Sequence, residues 1–177
     1  MLVTHRKEIR MPEDKPELLD GSQYTVKDDL AEAIDHGILV SNLAVLLSKE
    51  LGLDDEYCYM MAQAGMIHDI GKLKLGRFLY GRSKDTLVIE EMKYIRMHPT
   101  IGYEILKDYD YQDVVLESVC HHHENYDGTG YPDNLKGDTI PYGARILRTC
   151  DVFAALISER RYRAAFDLDT AMEILIE

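Results

Sequence analysis

Several absences narrow the reading of this 177-residue chain. No apolar run approaches the length of a membrane span, and the N-terminus lacks the basic-then-apolar layout of a signal peptide. The expectation is a cytoplasmic protein with no membrane insertion. An excess of positive charge is missing too. The net charge is −12, which excludes a nonspecific binder of nucleic-acid polymers or anionic membranes, since both need basic surface. A small anionic substrate stays open, because metal ions and a few lysines and arginines can concentrate positive charge at one site. Cysteines are few. Cys58, Cys120 and Cys150 have no CxxC spacing and read as small buried hydrophobes of a reducing compartment. Nothing alternates like a strand for long, and there are no repeats. What remains is one all-α domain of about seven helices, in a chain too short for two comfortable domains.

Residues 1–24 are polar and turn-rich and read as an N-terminal arm or linker, with a solvated His5, ahead of a domain at 25–177. Thr25 is a plausible N-cap, with Asp28 and Asp29 in the favoured acidic first turn. That helix carries Leu39, Val40, Leu43, Leu46 and Leu47 to near Gly52, and places Glu32 and His36 on one face. Asp54 starts a second helix, which turns Met61, Ala62, Gly65 and Met66 inward, ends at His68-Asp69 and is followed by Gly71, a candidate helix stop. After a loop-like stretch at 73–86, a helix from Leu87 to Met97 ends at His98, because Pro99 disfavours helical geometry in the residue before it. Pro99 then opens a short helix through Leu106. An amphipathic helix from Gln112 to Cys120 delivers His121-His122-His123, and 125–139 is turn chemistry throughout. Pro141 opens a helix to about Ser158 that carries Arg145, Arg148 and Asp151; Asp167 or Asp169 caps the last one.

The histidines fall at or near helix ends, and Asp151 is embedded in an apolar helical pattern where an unpaired charge would be costly. Several imidazoles and two carboxylates in near-core settings point to a buried metal cluster rather than to unrelated core histidines.

With the segments His68-Asp69-Ile70-Gly71-Lys72, His98-Pro99 followed by Gly102, and HHENYDGTGYP at 122–132, the chain resembles the HD-GYP branch of the HD superfamily of metal-dependent phosphohydrolases. Ile140-Pro141, Ala144-Arg145-Ile146, Asp151-Val152-Phe153 and Ser158 to Arg163 extend the match over about residues 30–177. The resemblance implies an all-α domain that hydrolyses cyclic di-GMP, and sometimes related cyclic dinucleotides, at a site of two or three divalent metal ions. Carried over by position, the ligands are His36, His68, Asp69, His98, His122, His123 and Asp151, with Asp69 as the bridge. Glu32 matches the extra ligand of members that look trinuclear, Lys72 the lysine on the scissile phosphate, and Arg160 and Arg163 basic residues facing the substrate. Two positions depart from the pattern: Ala154, where the family commonly has Asp, and Arg161, where it has Pro. Both bear on the substrate side of the match.

The chemistry suits such a site. Two metal ions about 3.5–4 Å apart can lower the pKa of a bound water and clamp the attacking and leaving oxygens of an in-line displacement. Imidazole and carboxylate donors favour iron or manganese first, then nickel or zinc, over an all-oxygen magnesium site. Alternatives stand beside several of these residues. His121 is a competing ligand, or a supporting or exposed group. Glu124 reads as a hydrogen-bond acceptor for an imidazole or as a surface ion pair. Lys72 reads as a phosphate contact ahead of a helix-end cation, whereas Arg160 and Arg163 are as easily solvated charges. Tyr131 offers a flat surface to a base or a partner protein, though DGTGYP is also simply a well-formed turn. Glu32 is a ligand or a helix-dipole acid.

Three functions follow. The first is a phosphodiesterase that converts cyclic di-GMP to pGpG and/or GMP with a metal-activated hydroxide. The second is an HD phosphohydrolase for another cyclic dinucleotide or nucleotide, fed by Ala154 and Arg161. The third is a non-catalytic module that senses ligand or metal and signals through protein contacts, with diguanylate cyclases and a second copy of the chain as candidate partners.

Overall fold

The computed structural model describes residues 22–75, 93–159 and 164–176. Among them there are helices and turns and no strand: α1 (Ser22–Glu50), α2 (Asp55–Ile67), α3 (Gly71–Lys74), α4 (His98–Leu106), α5 (Asp113–His121), α6 (Tyr142–Ile157) and α7 (Leu168–Ile176), with a 3-10 turn at Gly137–Thr139. The all-α expectation holds.

Helix ends are set by local chemistry. After α1, Gly52 takes a left-handed φ of +74° and donates its N–H to Lys49 O at 2.9 Å, while Leu53 donates to Ser48 O at 3.1 Å. This pair of bonds is a Schellman stop, and the φ favours glycine. Asp54 then caps α2 by accepting the Tyr57 N–H at 2.7 Å. Asp167 does the same for α7 through the Thr170 N–H at 3.0 Å. At its other end α1 begins at Ser22, so Thr25 lies inside the helix rather than capping it, and Asp28 and Asp29 fall beyond the first turn. No breaker separates Ser22 from Thr25, and the helix extends back through them.

α1 packs along α2 and also against α6, and α5 closes the layer from the other side. Val40 and Ala44 of α1, Met61 and Ala64 of α2, Val115 of α5, and Ile146, Leu147, Cys150 and Ala154 of α6 form the core. A smaller cluster of Leu106, Leu116 and Val119 joins α4 to α5. Met61 has no exposed surface, so its truncation to alanine would cost about 2–5 kcal/mol. The three cysteines are buried, and no disulfide joins them.

Periodicity placed some residues on the wrong side. Leu46 and Met66 are exposed, because nothing among the described residues covers those faces of α1 and α2. The stretch Ala31–Glu50 of α1, with mean hydropathy 1.2, is also long and apolar enough to cross a membrane by length and composition. That corrects the expectation that no run approaches such a length. In the fold, Val40, Ala44 and Ser48 of this stretch face the protein interior, and 22% of the stretch is buried.

Candidate metal centre

Each candidate ligand sits at a place where a helix starts, stops or turns inward. His36 lies on α1, and His68 is the residue at which α2 ends. Asp69 follows in the turn to α3. His98 is the first residue of α4, with Pro99 behind it in the first turn, so it starts one helix rather than merely ending another. His122 terminates α5, His123 follows, and Asp151 faces them from α6.

Gly71 explains how two of these ends meet. It opens α3 instead of stopping α2, and a Cβ there would lie 2.0 Å from the His98 carbonyl oxygen. Only glycine lets the turn after Asp69 press against the start of α4. Gly130 plays the same part in the loop after His123, where a Cβ would come within 2.2 Å of Asn125 N and 2.5 Å of His123 O.

The imidazoles are oriented alike. His68, His98 and His122 each donate Nδ1–H to the carbonyl three residues earlier, to Gly65 at 2.8 Å, Ile95 at 2.7 Å and Val119 at 2.8 Å. Such backbone bonds fix the tautomer of a metal-binding histidine and leave Nε2 as a lone pair. These lone pairs converge. His98 Nε2 is 3.2 Å from His122 Nε2 and 3.1 Å from Asp69 Oδ1. His68 Nε2 is 3.3 Å from Asp69 Oδ2 and 3.7 Å from Asp151 Oδ1, and His36 Nε2 is 2.9 Å from the same Asp151 oxygen. His68 Nε2 and Asp69 Oδ1 are buried with no hydrogen-bond partner among the described residues.

Buried lone pairs facing one another are costly without a cation, so the donor set fits divalent metal ions. Two groups of potential ligand atoms arise, one from His36, His68 and Asp69 and the other from His98, His122 and His123. Asp69 presents one oxygen to each, as a bridging carboxylate would.

Protonation follows the same pattern. Burial favours a neutral Asp69, but the charges of His68 and Lys72 prevail and hold its carboxyl well below the usual range. Asp151 is also lowered: burial works against its charge, and the hydrogen bond from His36 outweighs it. Burial, then His123 and His68, keeps His122 neutral, and burial with His98 lowers His123 to about 3. Burial opposes a charge on His68, yet Asp69 and Asp151 raise its pKa. Ionised carboxylates and neutral His122 and His123 are the forms that bind metal.

Around the cluster, Lys72 donates to Asp69 Oδ2 at 2.6 Å and is one-third exposed. Tyr131 stacks on His123, with ring centroids 4.8 Å apart, and the Arg96 guanidinium lies over the Tyr131 ring, 5.0 Å from its centroid. Burial pushes the Tyr131 hydroxyl up to about 12, so it stays protonated. Glu32, one turn before His36, is exposed and belongs to neither ligand group. Arg160, Arg161 and Arg163 lie outside the described residues, as does His5. Ala154 has no exposed surface and packs in the core, which removes it from the substrate side where the motif comparison had put it.

Three residues have partners that were not legible in the sequence. Glu124 is no surface ion pair: its Oε1 lies 3.8 Å from the buried imidazole of His121, and backbone groups take up the rest of its carboxylate. It is buried and receives the backbone N–H of Asp133 at 2.7 Å and of Leu135 at 3.1 Å, which pins the 125–139 loop. His121 is buried as well, with Nε2 3.1 Å from Glu117 and pointing away from the ligand groups. Arg148, one turn before Asp151 on α6, donates to His123 Nδ1 at 3.1 Å. Its i, i+3 spacing from Asp151 was the available signal.

Comparison with known proteins agrees with this geometry. The family model for the HD domain matches residues 8–177. The cyclic di-GMP phosphodiesterase response regulator RpfG of Xanthomonas campestris is 37% identical over 138 residues, 77% of this chain and 36% of that protein. The 3'3'-cGAMP-specific phosphodiesterase 1 of Vibrio cholerae is 36% identical over 142 residues, 79% of this chain and 32% of that protein. The chain thus spans about a third of the length of these relatives. The HD domain of L. monocytogenes phosphodiesterase PgpH, solved with cyclic-di-AMP, has the same fold, with a TM-score of 0.60 at 21% identity over 85% of this chain and 78% of that one. Fold, family match and the His68-Asp69 pair agree: the chain belongs to the HD-domain family.

Proposed function

We propose that this chain is a metal-dependent phosphodiesterase that hydrolyses cyclic di-GMP to pGpG and/or GMP. The observation that carries the reading is the position of Asp69, with one oxygen toward His68 and the other toward His98. A carboxylate so placed joins two ligand groups into one centre, with His36, His68 and Asp151 on one side and His98, His122 and His123 on the other. When bound, divalent ions supply Lewis acidity toward phosphoryl oxygens and a water of lowered pKa. An imidazole and carboxylate donor set without cysteine favours iron or manganese.

The remaining steps belong to the chain's own groups. Nδ1–H bonds to backbone carbonyls hold three imidazoles in the ligating tautomer. Lys72 brings an ammonium beside Asp69, where a phosphodiester at the centre would meet it. Tyr131 presents a flat ring next to His123 for a base to lie against, and Arg160 and Arg163 are the remaining proposed substrate contacts. Buried cysteines joined by no disulfide suit a reducing cytoplasm.

A second reading is hydrolysis of another cyclic dinucleotide. The favouring observation is the similarity to a cGAMP-specific phosphodiesterase at nearly the identity found for RpfG. A panel of cyclic di-GMP, 3'3'-cGAMP and cyclic di-AMP, incubated with manganese- or iron-loaded protein and resolved by chromatography, tests both. Preferred turnover of cyclic di-GMP supports the first reading. Preferred turnover of 3'3'-cGAMP replaces it with the second.

A further inference from the structure

A cyclic dinucleotide carries two phosphodiesters, and a metal centre engages one at a time. We infer that Arg148 binds the phosphodiester that is not being cleaved; the inference rests on the phosphodiesterase reading above. Arg148 is half-buried on α6, one turn before Asp151, and so shares that ligand's helix face. Its Nη1 donates to His123 Nδ1 at 3.1 Å and its Nη2 to Asn125 Oδ1 at 3.3 Å. Both acceptors are neutral. Arg145, one turn earlier, is instead matched to Asp138 at 2.8 Å. Among the described residues no carboxylate pairs with Arg148.

A guanidinium has five N–H donors, and two are used here. The result is a fixed, uncompensated positive charge with donors to spare, in a chain whose net charge is −12. Planar guanidinium groups suit phosphate oxygens, which they can grip through two parallel bonds. Arg148 meets the centre at His123, a member of the second ligand group, and makes no contact with Asp69. Lys72 is the cation on Asp69. The two cations therefore meet the centre through different residues, Lys72 at Asp69 and Arg148 at His123, which suits two phosphates of one substrate better than one phosphate twice.

The test uses the full chain loaded with manganese and compares the unmodified protein with Arg148→Ala and Arg148→Lys. Steady-state kinetics are measured on cyclic di-GMP and on bis(p-nitrophenyl) phosphate, which has a single phosphodiester. Calorimetry with cyclic di-GMP in a Lys72→Ala background, where turnover is slowed, reads binding alone. Expected for Arg148→Ala are a rise in KM and Kd for cyclic di-GMP of about tenfold or more, kcat within about twofold, unchanged metal content and unchanged KM for the single phosphodiester. Lysine should recover part of the affinity. Unchanged affinity for cyclic di-GMP overturns the inference. So does an equal rise in KM for both probes, which places Arg148 at the cleaved phosphate, or loss of metal, which makes it a support for His123. If the unmodified protein cleaves neither probe, the phosphodiesterase reading fails, while the calorimetric comparison still decides for or against Arg148.

Discussion

His98 and His122 bring their Nε2 atoms within 3.2 Å, each having committed its Nδ1 hydrogen to a backbone carbonyl. Two buried lone pairs at this separation are accommodated by a shared cation. Metal loading is therefore expected to stabilise the fold. At free metal about a hundredfold above Kd the gain is roughly 2.7 kcal/mol, or about 5–10 °C in Tm for a domain of this size. Calorimetric scans with metal and with chelator check this; identical Tm values would contradict it.

Glu32 separates two ions from three. Its carboxylate is exposed and outside both ligand groups, so Glu32→Ala is expected to leave the two ions around Asp69 in place. Elemental analysis after gel filtration is the measurement. Fewer than two ions per variant chain would mean that Glu32 holds part of the Asp69 centre.

Lys72→Ala should retain both ions and lose turnover, with kcat down by about two orders of magnitude, the scale seen for removal of one preorganised charge-stabilising donor. The ammonium bonds Asp69 Oδ2, the oxygen that faces His68, and is itself no metal donor, so all seven candidate ligands remain in the variant. Metal loss in this variant would instead make Lys72 part of the ligand scaffold.

Much of this arrangement was legible in the sequence because helix ends have strong local signals. Asp54 and Asp167 as caps, Pro99 just inside α4 and the all-α class follow from residue chemistry within a turn. The clustering of His36, His68, Asp69, His98, His122, His123 and Asp151 came from the motif resemblance, and their positions in the fold agree with it. Tertiary coverage was not legible. A leucine at helical spacing reads as core whether or not another helix reaches it, which is why Leu46 and Met66 were misplaced. Gly71 illustrates a second limit: as a residue type it suggests a stop, whereas its use here is close approach to His98. Glu124 illustrates a third, since its partners are backbone N–H groups nine and eleven residues away.

Gly71→Ala is expected to force the α3–α4 contact apart, because the new methyl would lie 2.0 Å from a backbone oxygen that cannot rotate aside. Overpacking of this kind costs about 1–3 kcal/mol. The denaturation midpoint should fall and metal affinity with it. An unchanged midpoint and full metal retention would show that the two helix ends tolerate separation.

Glu124→Gln would turn an acceptor of two backbone N–H groups into an amide with one donor end facing a donor. The expected cost is about 1–3 kcal/mol, concentrated in the 125–139 loop. Limited proteolysis should cut that loop faster in the variant. Equal cleavage rates would mean that the loop is held by its other bonds, such as Asn125 to Thr129.

The measurement that bears most on the whole reading is chromatographic analysis of cyclic di-GMP after incubation with protein shown to contain two iron or manganese ions per chain. Conversion to pGpG or GMP that stops on chelation and returns on metal addition is the predicted result. Complete recovery of cyclic di-GMP by the metal-loaded protein would contradict it.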